Sequence, residues 1–219
     1  MSLGEELAAR AESGWQAMPA ERRAVYTRAA EALAASGIAQ RALQVGDPAL
    51  DFELPDATGR PVRLSDLLFR GPVILSFYRG AWCPFCNMEL RALQQALGEI
   101  KAAGATLVAV SPNSPDTSIG LVERLGLDYP VLSDHNNVVA RRFHLVYEML
   151  PEQVAMYRAD GRDVGAMNGT EVWELPVPAT YVIDRDGTIK YGFVDLNHRR
   201  RAEPAEVVAV AARLATKEG

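Results

Sequence analysis

Two residues of this sequence can carry out redox chemistry. Cys83 and Cys86 are the only cysteines among the 219 residues, and they form a single Cys-Pro-Phe-Cys motif. In the first turn of a helix, this three-residue offset lets the two sulfurs meet and form a reversible disulfide. A secreted scaffold held together by disulfides would contain many more cysteines. The pair therefore indicates a thiol redox site or part of a metal site.

The predicted elements around the motif favour a redox nucleophile. An apolar run at residues 73–78 predicts a central strand buried on both faces, and Pro84 then suits the first position of a helix. Cys83 is expected at or beside the N-cap and Cys86 near the third helical position, where free N–H groups and the helix dipole stabilise a thiolate. With Arg79 as a further cation, we expect a thiol pKa lowered from about 8.5 toward about 7.

Two other interpretations of the cysteine pair have less support. The residues would be ordinary buried cysteines if the strand-to-helix junction had no chemical role. A zinc site usually has four ligands, whereas one Cys-x-x-Cys supplies two. His135, His144 and His198 have no ligand-like spacing with the pair. We therefore expect no metal and no bound cofactor.

The remaining sequence predicts an α/β fold. Strands are predicted at residues 73–78, 106–110, 129–132, 179–183 and 189–194, and helices at residues 84–103, 116–125, 136–143, 151–158 and 204–216. A short hairpin is predicted at 52–64, and residues 145–176 are interpreted as an irregular excursion. Strands that alternate with helices predict a central mixed sheet with helices on both faces. The loop at 111–115 is then expected at the same sheet edge as the cysteines.

Residues 1–44 predict a helical extension in front of a domain that spans residues 45–219. Apolar residues recur at helical spacing in this segment, and Pro19 suits the start of a second helix. A helix pair of this size cannot bury its apolar stripe alone. It either packs on the body of the chain or forms a subunit contact, which leaves a homodimer open.

The composition excludes several classes of partner. Lys and Arg number 23 against 28 Asp and Glu, which gives a net charge of −5 and no general electrostatic footprint for nucleic acid. No apolar run approaches the roughly 20 residues of a membrane span. The N-terminus has neither the basic nor the apolar region of a signal peptide. We therefore expect a cytoplasmic protein that binds neither membrane nor nucleic acid.

Three segments carry a resemblance to a known family. They are Val-Gly-Asp-Pro at 45–48 with Asp-Phe-Glu-Leu-Pro at 51–55, Phe-Tyr-Arg-Gly-Ala-Trp-Cys-Pro-Phe-Cys at 77–86, and Ala-Thr-Tyr-Val-Ile-Asp at 179–184. In this combination the chain resembles the AhpC/TSA group, peroxiredoxin-like proteins of thioredoxin fold, over about residues 45–216. The resemblance implies a thioredoxin-like sheet and cysteine redox chemistry, with Tyr78, Arg79 and Trp82 supporting the site.

Two frames within that resemblance assign different roles to the cysteines. In the peroxiredoxin frame, Cys86 takes the peroxidatic position and Glu89 matches the acidic residue that follows it. The remaining positions of this frame differ. Arg79 replaces the expected proline, Cys83 replaces the threonine that would bind peroxide, and Pro178 replaces the expected arginine.

The thioredoxin frame fits other residues of the motif. Trp82 begins a Trp-Cys-x-x-Cys sequence, and Pro178 before a late strand is a candidate cis-proline that would face the disulfide. In this frame Cys83 attacks and Cys86 resolves. Phe77 occupies the position where thioredoxins carry a buried acid. The attacking cysteine is therefore left open between the two frames.

Other polar and aromatic residues are expected to be structural. The run His-Arg-Arg-Arg at 198–201 is interpreted as a solvated loop after the last strand. Tyr147, Tyr157 and Trp173 in the excursion are interpreted as core or rim packing, with a pocket as the alternative.

Three functions are compatible with these residues. The leading hypothesis is a peroxiredoxin-like antioxidant oxidoreductase that reduces a hydroperoxide through a Cys83/Cys86 dithiol–disulfide cycle, with an external dithiol such as a thioredoxin as reductant. The second is a thiol–disulfide oxidoreductase acting on protein or small-molecule disulfides. The third is a non-enzymatic redox switch that controls a partner surface, with the N-terminal helices as the candidate surface.

Overall fold

A computed structural model describes residues 1–215, so Thr216, the end of the predicted final helix, lies outside the described residues. The helices are α1 (Leu3–Gln16), α2 (Ala20–Ala35), α3 (Ile38–Arg41), α4 (Leu64–Leu68), α5 (Pro84–Gln95), α6 (Leu97–Ala102), α7 (Pro115–Leu125), α8 (Val138–Arg142), α9 (Pro151–Ala159), α10 (Val164–Asn168) and α11 (Pro204–Ala215). The strands are β1 (Glu53–Pro55), β2 (Pro61–Arg63), β3 (Val73–Phe77), β4 (Thr106–Ser111), β5 (Val131–Ser133), β6 (Val146–Glu148), β7 (Glu174–Pro176), β8 (Ala179–Ile183) and β9 (Ile189–Val194). Within residues 1–215, no helix is both long and apolar enough to cross a membrane.

Five strands form the central sheet in the order β5-β4-β3-β8-β9. The central strand β3 pairs in parallel with β4, where Leu75 lies opposite Val108, and antiparallel with β8, where Leu75 lies opposite Tyr181. β4 and β5 are parallel, whereas β8 and β9 are antiparallel. Every residue of β3 and of β8 is buried, and for β3 this confirms the burial that its continuous apolar run predicts. The predicted α/β fold with a central mixed sheet is confirmed.

The side chains of β3 point alternately to the two faces of the sheet and divide the core into two layers. On one face, Leu75 and Phe77 pack with residues of α4 and α8. On the other face, Ile74 and Tyr78 pack with residues of α5, α6, α7 and α11. Both cysteines belong to this second layer, so the sheet and four helices fix their surroundings.

Two predicted helices are interrupted in the structure. The helix expected over 84–103 breaks at Ala96, whose ψ of −3° departs from helical backbone values. Ile100 beyond the break still faces the core. The helix expected over 136–143 begins as a 3₁₀ turn in which Asn136 has a φ of 59°. Apolar periodicity continues across Ala96 and therefore did not reveal that break, whereas the polar residues at 135–137 have no apolar pattern that could mark the 3₁₀ turn.

The N-terminal helices pack on the body of the same chain. Leu7 of α1 is buried, and the Glu203 carboxylate accepts hydrogen bonds from two backbone N–H groups of the first turn of α1 at 3.2 and 2.7 Å. Glu203 thereby satisfies two donors that a helix start leaves free. α2 is joined to α9 by two ion pairs. They are Arg22–Asp160 and Arg28–Glu152.

The excursion at 145–176 is an ordered subdomain rather than an irregular loop. β6 pairs antiparallel with β7, and Tyr147 lies opposite Leu175. α9 and α10 lie between these strands in the chain, and a small apolar core holds them against the pair. Tyr157 and Trp173 are buried in that core, so their interpretation as packing residues is confirmed. Tyr147 is half-buried and lines a cavity between the N-terminal helices and the body of the chain.

Candidate active site

The two cysteines lie at the junction of β3 and α5. Cys83 is the N-cap residue of α5, with extended backbone angles of φ −90° and ψ 115°, and Pro84 is the first helical residue. Cys86 follows at the third helical position. The backbone N–H of Cys83 donates to the carbonyl of Gly80 at 3.1 Å, which fixes the turn before the helix. Both thiols thus have the positions that the sequence predicts.

The turn before the motif depends on a glycine and on a neighbouring loop. Gly80 has a φ of +146°, and a Cβ there would lie 2.5 Å from the indole nitrogen of Trp82. The backbone N–H of Ala81 donates to Oδ1 of Asn113 at 2.8 Å. Asn113 is fully buried in the loop at 111–115, which lies at the cysteine edge of the sheet as predicted. Asn113 therefore holds the turn before the motif, a role that the sequence did not predict for it.

The two buried thiols have pKa values that move in opposite directions. Both cysteines are free, and Cys83 is 1% exposed while Cys86 is 0% exposed. The hydrogen bond donated by the Cys86 thiol lowers the pKa of Cys83 to about 5, and Arg79 and Arg201 act in the same direction against burial. Burial and that same hydrogen bond raise the pKa of Cys86. These directions favour ionisation of Cys83 before Cys86.

The two arginines beside the pair differ in how far their charge is compensated. Nη2 of Arg201 lies 3.3 Å from Sγ of Cys86, but its Nε donates to the Glu89 carboxylate at 2.5 Å. Arg79 forms no ion pair with any residue of the described part of the chain. Since no carboxylate within residues 1–215 pairs with Arg79, its charge is available to lower the pKa of Cys83, and this asymmetry favours the anion on Cys83.

Arg201 corrects the interpretation of residues 198–201 as a solvated loop. Arg201 is 6% exposed, and its Nη1 donates to the carbonyl of Arg200 at 2.7 Å and to the carbonyl of His198. The physical reason is Glu89, whose buried carboxylate requires a cation. A carboxylate on the apolar face of α5 is the sequence signal from which an inward-facing arginine could have been expected.

Glu89 lies on the sheet-facing side of α5, one turn beyond Cys86. It is 1% exposed and accepts hydrogen bonds from Ser76 Oγ at 3.4 Å and Thr180 Oγ1 at 3.2 Å, in addition to that from Arg201. Burial raises the pKa of Glu89, and Arg201 opposes that effect. The structure therefore joins Glu89, a residue predicted to support the site, to Cys86 through Arg201.

Arg79 and Trp82 supply two unused hydrogen-bond donors next to Cys83. Arg79 is 2% exposed, its guanidinium lies 4.9 Å from the centre of the Trp82 ring, and its Nη2 lies 3.4 Å from the Tyr157 hydroxyl. Neither Arg79 Nε nor Trp82 Nε1 has an acceptor among the described residues. Buried donors are rarely left unpaired, so these two are available to a ligand. Tyr78 is fully buried in the cysteine layer and supports the site by packing.

The candidate cis-proline of the thioredoxin frame is not observed. All described peptide bonds are trans, including the bond between Val177 and Pro178. The backbone N–H of Val177 donates to the carbonyl of Leu145 at 2.8 Å, and Ala179 already pairs with Phe77. An extended path from β7 into β8 satisfies both contacts, which accounts for the trans bond. Pro178 nevertheless lies at the sheet edge that carries the cysteines.

His198 lies close to the motif but is arranged for packing. Its ring meets Phe85 edge to face, with ring centroids 5.9 Å apart. Burial and the neighbouring arginines lower the pKa of His198, so the imidazole is neutral at pH 7. Within residues 1–215, no three or more His, Cys, Asp or Glu side chains are grouped to hold a metal ion.

Comparison with known proteins identifies relatives named as peroxiredoxins and as thiol–disulfide oxidoreductases. A relative named as a peroxiredoxin, Rv1608c of Mycobacterium tuberculosis, is 40% identical over 101 residues, which are 46% of this chain and 66% of that protein. The chain thus spans just under two thirds of the length of that relative. The thiol–disulfide oxidoreductase ResA of Halalkalibacterium halodurans is 35% identical over 92 residues, which are 42% of this chain and 51% of that protein.

The structural comparison agrees with the sequence comparison. The crystal structure of peroxidoxin BcpB from Mycobacterium tuberculosis superposes with a TM-score of 0.61 at 28% identity, and the match covers 78% of this chain and 98% of that one. This neighbour and Rv1608c are thus named as a peroxidoxin and a peroxiredoxin. The sequence model of the AhpC/TSA family matches residues 45–192, and the chain therefore belongs to the AhpC/TSA family.

Proposed function

We propose that the chain is a thiol peroxidase in which Cys83 attacks the hydroperoxide and Cys86 resolves the product. One observation carries this assignment. Cys83 accepts a hydrogen bond from the Cys86 thiol at the N-terminus of α5, next to the uncompensated charge of Arg79, and these contacts lower the pKa of Cys83 to about 5. A thiolate is the nucleophilic form of cysteine, so the residue that ionises first is the residue that attacks.

The proposed catalytic cycle has three steps: peroxide reduction, disulfide formation and re-reduction of the disulfide. The Cys83 thiolate attacks the terminal oxygen of the hydroperoxide, the O–O bond breaks, and the leaving alkoxide or hydroxide takes a proton from solvent. Cys83 is then a sulfenic acid, which condenses with the Cys86 thiol to form a disulfide and release water. An external dithiol returns two electrons and two protons through thiol–disulfide exchange.

The partners in this proposal follow from the chemistry of the cycle. A thioredoxin-type dithiol is the proposed reductant, and the reducing cytoplasm is the proposed compartment. We propose that residues 1–44 act as an extension of a peroxiredoxin-like domain at 45–219. Assembly into a homodimer is also a proposal, which size measurement in solution tests directly.

Peroxide consumption coupled to reductant oxidation tests the proposed function. With thioredoxin, thioredoxin reductase and NADPH, the protein is expected to consume hydrogen peroxide far faster than free cysteine at the same thiol concentration. The matched control is the Cys83→Ser/Cys86→Ser protein, which has no thiol and whose folding is checked by circular dichroism. A wild-type rate no higher than that of free cysteine would contradict the proposal.

Thiol–disulfide exchange is the second candidate function. Two observations support it. Cys83 is the N-cap residue of α5, a position that favours a thiolate, and the chain is similar to ResA. Reduction of insulin disulfides by the dithiol form separates the two functions. Fast insulin reduction without peroxide turnover would favour the oxidoreductase, whereas the converse result favours the peroxidase.

A non-enzymatic redox switch is the third hypothesis. It predicts a change in oligomer size between oxidised and reduced protein without catalytic turnover. Gel filtration under both conditions, with the turnover assay in parallel, distinguishes it from the two enzymatic functions.

The pH dependence of alkylation is expected to identify the attacking thiol. Because the pKa of Cys83 lies at about 5, its iodoacetamide reactivity should be constant above that value and fall about tenfold per pH unit below it. Cys86, whose pKa is raised, should react only at alkaline pH. Mass spectrometry of the labelled peptide, with Cys83→Ser and Cys86→Ser as controls, assigns each profile. A low pKa found on Cys86 would contradict the assignment.

A further inference from the structure

Two buried asparagines connect the subdomain at 145–176 to the turn before the cysteines. Asn168 is the last residue of α10, and its Oδ1 accepts a hydrogen bond from Nδ2 of Asn113 at 2.7 Å. Oδ1 of Asn113 accepts in turn from the backbone N–H of Ala81 at 2.8 Å. Both asparagines are 0% exposed, so water cannot replace either contact without a change in packing. We call Asn113 and Asn168 the amide pair.

The order of these contacts determines which way the Asn113 amide points. A side-chain amide has one acceptor oxygen and one donor nitrogen, so acceptance from Ala81 leaves Nδ2 as the atom that faces Asn168. An acceptor at 168 therefore favours the one orientation of Asn113 in which its oxygen meets Ala81.

The peptide unit that the amide pair holds lies in the turn that leads to Cys83. The carbonyl of Gly80 accepts from the backbone N–H of Cys83 at 3.1 Å. The carbonyl of Ala81 accepts from Asn87 of α5 and Arg124 of α7, both at 3.2 Å, whereas its N–H is held by the amide pair. Because the peptide unit is planar and rigid, these contacts together fix the path of the chain into Cys83.

The backbone of α10 does not require asparagine at position 168. The left-handed residue that ends the helix is Gly169, with a φ of 67°, and the N-cap is Asp163. Nδ2 of Asn168 is buried and has no acceptor among the described residues. The hydrogen bonding of this side chain is therefore confined to its Oδ1, which contacts Asn113.

The end of α10 also meets the loop at 111–115 through its backbone. The carbonyl of Met167 accepts from the N–H of Ser114 at 3.2 Å and from Oγ1 of Thr117 at 3.3 Å. Nδ2 of Asn113 makes a longer contact to the same carbonyl at 3.4 Å. These contacts remain when the side chain at 168 is replaced, so the loop should stay docked on α10 in a variant at that position.

We propose that Asn168 is a positioning residue that orients the Asn113 amide and thereby holds the turn at 80–81 in the conformation that places Cys83 at the N-cap of α5. The subdomain at 145–176 is then part of the redox site although it contributes no thiol. The proposal rests on the proposed function where it treats Cys83 as the nucleophile, whereas its contacts involve no substrate.

The conformation of the turn matters for the ionisation of Cys83. At the N-cap, a thiolate faces the free N–H groups of the first turn of α5. The thiol of Cys86 and the charges of Arg79 and Arg201 also lower its pKa. A turn that samples other conformations would separate Cys83 from these groups for part of the time. We therefore expect the pKa of Cys83 to rise when the amide pair is broken.

Leucine substitutions in the amide pair test the proposal. Leucine is similar in size to asparagine but has no amide, so Asn168→Leu removes one contact and Asn113→Leu removes both. We expect the alkylation pKa of Cys83 to rise by roughly 0.5 to 1 in each variant, the equivalent of one hydrogen bond. Iodoacetamide reactivity would then fall about two- to fivefold near pH 5 and stay unchanged at pH 8. Should a leucine variant not fold, alanine at the same position carries the same expectation.

A double variant shows whether Asn168 acts through Asn113. If it does, Asn113→Leu/Asn168→Leu should have the same Cys83 pKa as Asn113→Leu, because no contact is left for the second change to remove. Gln153→Met is the matched control. Gln153 is a buried amide of the same subdomain, and its Oε1 accepts from the backbone N–H of Leu150 at 3.1 Å. Its alkylation profile should match that of the wild type, and an equal rise there would overturn the specific role of Asn168.

Three further results would overturn the positioning role. They are an Asn168→Leu profile that coincides with the wild-type profile, a reactivity changed by the same factor at every pH, and additive pKa changes in the double variant. The second of these is the signature of a loosened fold rather than of a displaced thiolate. Peroxide turnover is a separate measurement. If the wild type reduces no peroxide, the proposed function fails, while the alkylation profiles still decide whether Asn168 positions Cys83.

Discussion

Replacing Cys83 with serine is expected to abolish peroxide turnover and sulfenic acid formation. The reason is that, in the proposed assignment, Cys83 is the nucleophile: the hydrogen bond from Cys86 lowers the pKa of Cys83, whereas burial raises the pKa of Cys86. Cys86→Ser should behave differently. It should still reduce one equivalent of hydrogen peroxide and stop at a sulfenic acid on Cys83, because no resolving thiol is present. Dimedone trapping followed by peptide mass spectrometry measures the adduct at each cysteine in a single turnover.

The two serine variants are matched controls for each other. Both remove one sulfur from the same buried layer, so an effect of packing alone would lower both activities alike. A dimedone adduct on Cys86 in the Cys83→Ser protein would reverse the assignment. It would support the peroxiredoxin frame, in which Cys86 is the peroxidatic residue.

The sequence was sufficient to predict the fold and the position of the thiols. A continuous apolar run identifies β3 as a buried strand, and a hairpin pattern identifies β8 and β9. Pro84 marks the start of the helix that has Cys83 as its N-cap. These features depend on local periodicity and on backbone geometry near one residue. Periodicity and local backbone geometry are both determined by residues that are close in sequence, so a single sequence is enough to predict these features.

The contacts of the site could not be predicted in the same way. Arg201 meets Cys86 and Glu89 across 115 and 112 residues of sequence, and nothing near 201 distinguishes it from the exposed Arg200. Arg79 was predicted as a cation near the motif, but its lack of a carboxylate partner is a fact of tertiary packing. These contacts, which decide which cysteine ionises, arise when distant segments meet.

The trans bond before Pro178 shows a related limit. The proline has the position expected of the cis-proline in the thioredoxin frame, yet its isomer depends on the chain entering it from β7. β7 belongs to the excursion at 145–176, which the sequence did not resolve into elements. The cis isomer of the thioredoxin frame therefore cannot be assigned to Pro178 from the motif alone, because the segment that precedes the proline differs in this chain.

Replacing Arg201 with methionine is expected to cause a large loss of stability. The change leaves the Glu89 carboxylate buried without a cation, and removal of one partner of a buried ion pair typically costs about 3–5 kcal/mol. Chemical denaturation of the reduced protein measures this change in the free energy of unfolding. Arg200→Met is the matched control, because Arg200 forms an exposed pair with Asp195 that should contribute at most about 1 kcal/mol.

The double variant Arg201→Met/Glu89→Gln separates stability from the ionisation of Cys83. It removes both buried charges, so most of the lost stability should return. Arg201 is only one of the groups that lower the pKa of Cys83, and the hydrogen bond from Cys86 and the charge of Arg79 are unchanged. The alkylation pKa of Cys83 should therefore rise but remain below that of an ordinary thiol. A pKa restored to the ordinary range would instead show that Arg201 acts as a free cation on the pair. If the double variant were no more stable than Arg201→Met, the lost free energy of unfolding would come from lost packing of the Arg201 side chain rather than from the unpaired Glu89 carboxylate. The two readouts therefore distinguish a buried ion pair that positions α5 from a cation that activates the nucleophile.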